Sequence, residues 1–267
     1  MPTNRFSLLP ERQALSVFFT AGYPRLKDTV PLLKALQASS VDMVEVGFPF
    51  SDPVADGPTI QESNLIALRN GMSVATLFEQ IARIREEGVS YPILLMGYLN
   101  PVEQYGRARF FQHAARVGVD GLILPDMPFG QYLSSYKELF VRNGLKPVFL
   151  VTPRTSVDRI HAFDAEAPAF LYVLSSDAVT GGKVAISDER DAFFKKLKEM
   201  NLRSRLIVGF GVSDRESFKL VTRHTSGAIL GSAFVRAVSS VVEGVSSSQS
   251  DEAQLTTLVS EFLQGVR

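Results

Sequence analysis

The chain has 267 residues, enough for one large domain with a substantial core or for two small ones. Hydrophobic residues make up 45% of it, which excludes a disordered chain, and its 28 basic residues balance 28 acidic ones. That balance gives no sign of a nucleic-acid or membrane-surface partner, and the absence of cysteine excludes disulfides, thiolate nucleophiles and cysteine metal ligands.

The opening MPTNRFSLLPERQALSVFF is too polar for a signal peptide, and no apolar run approaches the ~20 residues that cross a bilayer. The expectation is a soluble cytoplasmic protein. Two kinds of segment then alternate. The apolar run ALSVFFTA (14–21) precedes the amphipathic LKDTVPLLKALQAS (26–39). VDMVEVGF (41–48) precedes a proline-rich loop and then VATLFEQIARIREEG (74–88). There Leu77, Ile81 and Ile84 share a face, with Glu79, Arg83, Glu86 and Glu87 elsewhere. YPILLMGY (91–98) leads to RARFFQHAARVG (107–118), and VDGLILPD (119–126) to QYLSSYKELFVRNG (131–144). KPVFLVTP (146–153) leads to SVDRIHAFDAEA (156–167), and APAFLYVLS (167–175) to DERDAFFKKLKEMN (188–201). SRLIVGFG (204–211) leads to SDRESFKLVTRH (213–224), and SGAILGSA (226–233) to the closing DEAQLTTLVSEFLQGVR.

Most of the apolar runs are hydrophobic nearly throughout, as parallel strands buried on both faces are. Eight strand–helix units in about 250 residues point to a single closed (β/α)8 barrel over 1–267. The rival, an open doubly wound sheet, would want a glycine fingerprint after the first strand, and FFTAGYPRLKD has none. The serine-rich SSVVEGVSSSQSDEAQ (239–254) reads as an exposed connection before the last helix. His113, His161 and His224 lie in helical stretches without ligand spacing, and KKLK (195–198) reads as a solvated face.

One stretch stands apart: VEVGFPFSDPVADGPTIQ (44–61). In a barrel, chemistry gathers where the strands' C-terminal ends meet the following loops. Glu45 lies near the end of the second strand. If Val44 and Val46 face the helical shell, alternation turns Glu45 into the barrel. A carboxylate there is costly unless partnered, and a raised pKa relieves that cost and suits a general acid–base. The alternative is a glutamate satisfied by a core hydrogen bond. Pro49, Pro53 and Pro58 make the following loop rigid and Gly57 permits unusual dihedrals, so that Asp52 and Asp56 are held at little entropic cost. Turn formation or helix capping is the other use of either aspartate. Gly181, Gly211 and Gly231, the last followed by Ser232, come after strands six, seven and eight. Backbone N–H groups in such turns, with a short helix begun by GSAFV, would hold a phosphate, and a plain turn is the other use of each glycine.

The same stretch resembles the signature of the tryptophan synthase alpha subunit family, nearly position by position. FFTAGYP (18–24), MGYLNP (96–101), GVDGLILPDMP (118–128), VTGG (179–182), GFGVS (209–213) and GAILGSAFV (227–235) follow in the family's order. The resemblance implies a lyase that cleaves indole-3-glycerol phosphate to indole and glyceraldehyde 3-phosphate by a retro-aldol reaction. It implies Glu45 as the acid–base group and Asp56 as acceptor of the indole N–H. Phe18, Met96, Ile123 and Tyr172 would line or border the indole pocket, and barrel packing is the other use of each. Thr180 would hydrogen-bond the loop aspartate from a closing lid. No metal or cofactor is expected in this chain. The expected partner is the beta subunit, which would carry pyridoxal phosphate in an alpha2-beta2 tetramer and meet Pro49, Asp52, Pro53, Asn100 and Pro128.

Where the family commonly has SRxGVTG, this chain reads SSDAVTG, with Ser176, Asp177 and Ala178. The loss of a positive residue implies a lid (175–189) that stays open in the isolated chain and a basal activity that leans on the partner. Two other functions compete with the lyase. A silent regulatory subunit would not need Glu45, Asp56 and the phosphate turns. A different phosphate-binding barrel, such as a sugar-phosphate isomerase, would not need this loop.

Overall fold

The structure, a computed structural model, describes residues 5–11, 13–174, 188–209, 211–243 and 251–266. Parallel strands close into a barrel in chain order: β1 (Ala14–Thr20), β2 (Met43–Gly47), β3 (Ile93–Met96), β4 (Gly121–Ile123), β5 (Lys146–Val151), β6 (Phe170–Leu174), β7 (Arg205–Gly209) and β8 (Gly227–Leu230). The barrel closes where β8 lies beside β1, with Ala14 opposite Gly227 and Val17 opposite Leu230. A Cβ at Gly227 would lie 2.3 Å from the Ala14 carbonyl oxygen. The seam therefore needs a residue without a side chain.

Helices surround the barrel: α1 (Thr29–Ala38), α2 (Pro58–Arg69), α3 (Val74–Glu86), α4 (Leu99–Tyr105), α5 (Arg107–Arg116), α6 (Phe129–Gln131), α7 (Lys137–Asn143), α8 (Val157–Glu166), α9 (Asp188–Glu199), α10 (Arg215–Thr222), α11 (Ser232–Glu243) and α12 (Asp251–Gln264). A π-helical turn, Tyr132–Tyr136, joins α6 to α7. Local chemistry sets the helix starts. Ser73 accepts the N–H of Thr76 at 3.1 Å, Asp214 accepts that of Ser217 at 2.9 Å, and Pro58 opens α2 directly after Gly57. Strand residues such as Val17, Val44, Val46, Leu95 and Val208 are fully buried, as burial on both faces of the sheet requires.

Two helices, α2 and α4, lie between the expected ones. The serine-rich stretch is also less of a connection than its composition implied. Residues 239–243 continue α11, 251–254 begin α12, and 244–250 lie outside the described residues. Apolar packing explains this. Phe234, Val235 and Val238 of α11 and Leu255, Val259 and Leu263 of α12 are buried, and the Phe234 and Phe262 rings meet edge-on at 5.5 Å.

The N-terminal end of the barrel is plugged. A single 3-10 turn, Arg5–Leu8, puts Phe6 against Phe170, ring centres 6.5 Å apart. Beneath β4, Asp120 accepts from the Arg5 and Arg85 guanidinium groups at 2.9 and 2.8 Å and from the Ile93 N–H at 2.9 Å. Burial pulls the Arg85 guanidinium down to about 10, against the attraction of Asp120. This end is built for stability and the opposite mouth is left open for a ligand.

Candidate active site

A cavity of about 120 Å³ opens at the C-terminal end of the strands. Alternation along the strands supplies its apolar wall: Phe18 from β1, Met96 from β3, Leu150 from β5, Leu174 from β6 and Ile229 from β8. Asp56 enters from the loop after β2, and Tyr172 from β6.

Asp56 is held by its surroundings. The Tyr98 hydroxyl accepts the Ala55 N–H at 3.1 Å and donates to the Asp56 carboxylate. Asn64 of α2 donates to Asp56 Oδ2 at 3.4 Å, and Gln61 ties the Asp56 carbonyl at 2.7 Å. Tyr98 is itself set in place. Asp126, after β4, takes the N–H of Leu99 with both oxygens, at 3.1 and 3.0 Å, and so fixes the start of α4. Burial raises the Asp56 carboxyl above its usual range, while Tyr98 and Asn64 pull it back by stabilising the ionised form.

Glu45 is completely buried on β2, opposite Phe18 in the β1–β2 register. It does not form part of the cavity wall. Its Oε1 accepts from the Ser16 hydroxyl at 3.1 Å, and Ser16 lies two residues before Phe18, on the plugged side. The carboxyl therefore sits one layer beneath the cavity. Its Oε2 has no hydrogen-bond partner among the described residues. Burial pushes the Glu45 carboxyl up to about 8, against a smaller lowering by Ser16. Tyr172 is raised well above its usual value, first by burial and then by the charges of Glu45 and Asp56. This places the tyrosine within electrostatic reach of both acids.

The far wall suits an anion. Gly211 has φ +77, in the region that glycine adopts without strain. Gly231, Ser232 and Ala233 line the cavity at the start of α11, whose first N–H groups and dipole face it. A Cβ built at Gly231 meets nothing within 4 Å. Bulk there would enter open cavity and clash with a ligand, whereas the protein itself would tolerate it.

The described residues do not bring every expected residue into the cavity wall. Ile123 is fully buried beside Met96 in the β3–β4 register and does not line the cavity. Thr180, Gly181 and the altered Ser176, Asp177 and Ala178 fall outside the described residues. Among the residues expected at a partner surface, Asp52, Asn100 and Pro128 are exposed and Pro53 is half-buried, all on loops or helix starts at the open mouth. Pro49 is buried within the chain itself. Ser16, Asn64, Tyr98 and Arg236 also touch the acids or the cavity, and sequence reading singled out none of them. Their roles depend on which elements meet across the mouth. A tyrosine in MGYLNP and an arginine one turn into a helix carry no local mark of this.

Comparison with known proteins agrees with this geometry. A family model described as tryptophan synthase alpha chain matches residues 7–267. The tryptophan synthase alpha chain of Parabacteroides distasonis is 50% identical over 240 residues, 89% of this chain and 93% of its own. That of Flavobacterium psychrophilum is 47% identical over 229 residues, 86% of this chain and 90% of its own. Among solved structures, the tryptophan synthase alpha chain of Legionella pneumophila superposes with a TM-score of 0.82 at 30% identity, covering 96% of this chain and 92% of that one. A chain of the tryptophan synthase complex of Pyrococcus furiosus does so with a TM-score of 0.80 at 32% identity, covering 95% and 99%. With a closed barrel, one acid at its mouth and another buried beneath it, and a match along nearly its whole length, the chain belongs to the tryptophan synthase alpha chain family.

Proposed function

We propose that the chain cleaves indole-3-glycerol phosphate into indole and glyceraldehyde 3-phosphate, with Glu45 as the proton-transfer group and Asp56 as the acceptor of the indole N–H. The observation that carries this reading is the polarity of one cavity: a held carboxylate at one side, an anion-binding helix start at the other, and apolar wall between. An indole ring carrying a phosphorylated three-carbon chain has the matching order of groups.

The scissile carbon–carbon bond joins the side chain to C3 of the indole. It becomes breakable once C3 takes a proton and the ring nitrogen carries positive charge. Asp56, whose ionised form Tyr98 and Asn64 favour against the pull of burial, stabilises that charge through the N–H. Glu45, with a carboxyl raised to about 8, is predominantly neutral at pH 7 and can give that proton. The carboxylate then takes the proton of the adjacent hydroxyl. The bond breaks, its electron pair returns to the ring, and an aldehyde forms, so Glu45 ends the cycle protonated as it began. From its position beside Ser16 the side chain must rotate upward past Phe18 to do this. Tyr172, close to both acids, supports their placement.

No cofactor takes part in this half-reaction. The partner is the beta subunit of an alpha2-beta2 assembly in which pyridoxal phosphate belongs to the beta subunit. Asp52, Pro53, Asn100 and Pro128, on the rim of the mouth, form part of the contact. The chain works as a single domain in the cytoplasm, consistent with the absence, among the described residues, of any helix long and apolar enough to cross a membrane. Incubation of the purified chain with indole-3-glycerol phosphate, with and without the beta subunit, tests the reading. Indole and glyceraldehyde 3-phosphate in equal amounts are expected. Absence of indole in both conditions would favour a regulatory subunit instead.

A further inference from the structure

The cavity wall carries one cationic side chain among the described residues, Arg236, and one anionic side chain, Asp56. Arg236 lies on α11, four residues after Ser232. Helical side chains lean toward the N-terminus, so a residue one turn in covers the first turn. The side chain thus leans toward the helix start that, on the reading above, receives the phosphate, and it lines the same cavity. Its contact with α2 is loose and to a neutral group: Nη1 donates to the Thr59 hydroxyl at 3.4 Å, from an exposed position at the rim. Among the described residues no carboxylate pairs with it. Thr59 stands on α2, three residues beyond Asp56, so the arginine reaches from the anion end of the cavity toward the loop of the acid.

We propose that Arg236 is a specificity-determining residue of this cavity, which leaves Thr59 to form a charge-assisted contact with the phosphate of the substrate. This rests on the lyase reading and adds to its backbone phosphate site. A helix start supplies N–H donors and a partial positive charge, about half an elementary charge. A phosphate dianion is neutralised far better when a guanidinium joins them, because that group is fully charged and donates two parallel hydrogen bonds. Once Arg236 leaves Thr59 for the helix start, a substrate entering reversed would put its phosphate beside the Asp56 carboxylate and its indole N–H beside a cation.

The bland alternative is a tie between α2 and α11 through Thr59. Calorimetric titration of glycerol 3-phosphate and of inorganic phosphate into the parent, Arg236→Gln and Arg236→Lys chains separates the two, together with kcat, KM and melting temperature. Arg236→Gln is expected to weaken glycerol 3-phosphate ~10-fold and to raise KM by a similar factor, with kcat within ~3-fold of the parent. Arg236→Lys should recover most of the affinity. Parent affinity should fall more steeply with ionic strength than that of Arg236→Gln. A parent that neither binds glycerol 3-phosphate nor releases indole would overturn the lyase reading and this inference with it. A parent that does both, beside an Arg236→Gln chain of equal affinity, would overturn this inference alone, whether or not the melting temperature falls.

Discussion

A carboxyl with one oxygen on Ser16 and the other without a partner among the described residues is far cheaper to bury as the acid than as the anion. This ties Glu45 to stability as well as to chemistry. Its folded pKa, about 8, lies above the ordinary value of 4.5. The folded chain therefore holds a proton that the unfolded chain has released, and the stabilisation is fully present below about pH 4.5 and lost as pH rises through 8. Urea denaturation between pH 5 and 8 should show the parent losing stability relative to Glu45→Gln, on the order of 1.4 kcal/mol per pH unit. Parallel curves for the two chains would show that the carboxyl is ionised in the fold. Asp56 has the opposite problem, since it must stay charged while half-buried. Tyr98→Phe removes a donor to that charge and the acceptor of the Ala55 N–H. It should lower kcat/KM by roughly 10-fold and move the acid limb of the pH profile upward, because the pKa of Asp56 rises without its donor. An unchanged limb would remove Tyr98 from the support of the acid.

Elements divide the labour between the two ends of the barrel. At the plugged end, Asp120→Ala leaves Arg85, with its side chain 10% exposed, without its buried partner. The cost should be about 3–5 kcal/mol by chemical denaturation, with activity retained in the molecules that remain folded. A loss under ~1 kcal/mol would mean that the carbonyls of Gly118, Val89 and Tyr91, to which Arg85 also donates, hold the guanidinium without the aspartate. At the open end, Gly211→Val forces a β-branched residue into φ +77. Weaker glycerol 3-phosphate binding is expected, with the helical and strand content of the barrel kept. The strands were legible in the sequence because burial on both faces made them continuous apolar runs. The two extra helices were not, for physical reasons. The buried residues of α2 are Ile60, Ser63, Asn64 and Ala67, small or polar side chains that draw no hydrophobic stripe. The seven-residue α4 contains Pro101 and buries only Val102. Phe234, Val235 and Val238 do recur with helical spacing in α11, but the serines that follow them masked the helix's length.

For the whole molecule, the proposed function gives the mouth of the barrel three tasks: holding the ring, holding the phosphate and facing a partner. Glu45 and the loop aspartates stand out as candidates in one stretch of sequence because that stretch combines an acid in an apolar strand with a proline-stiffened loop, while the choice of Asp56 rests on the family resemblance. That Glu45 lies beneath the cavity floor does not show there, since its position depends on a serine from a neighbouring strand. The loop that carries Asp56 also carries exposed Asp52, so a partner bound at the rim, as proposed, would have a short route to the acid through the Ala55–Tyr98 contact. Proton transfer by Glu45 is the central claim, and single-turnover release of indole from pre-bound indole-3-glycerol phosphate tests it most directly, with Glu45→Gln beside the parent. Release at least ~100-fold slower is expected, with glycerol 3-phosphate bound as tightly as by the parent. Release at close to the parent rate would contradict the role given to Glu45.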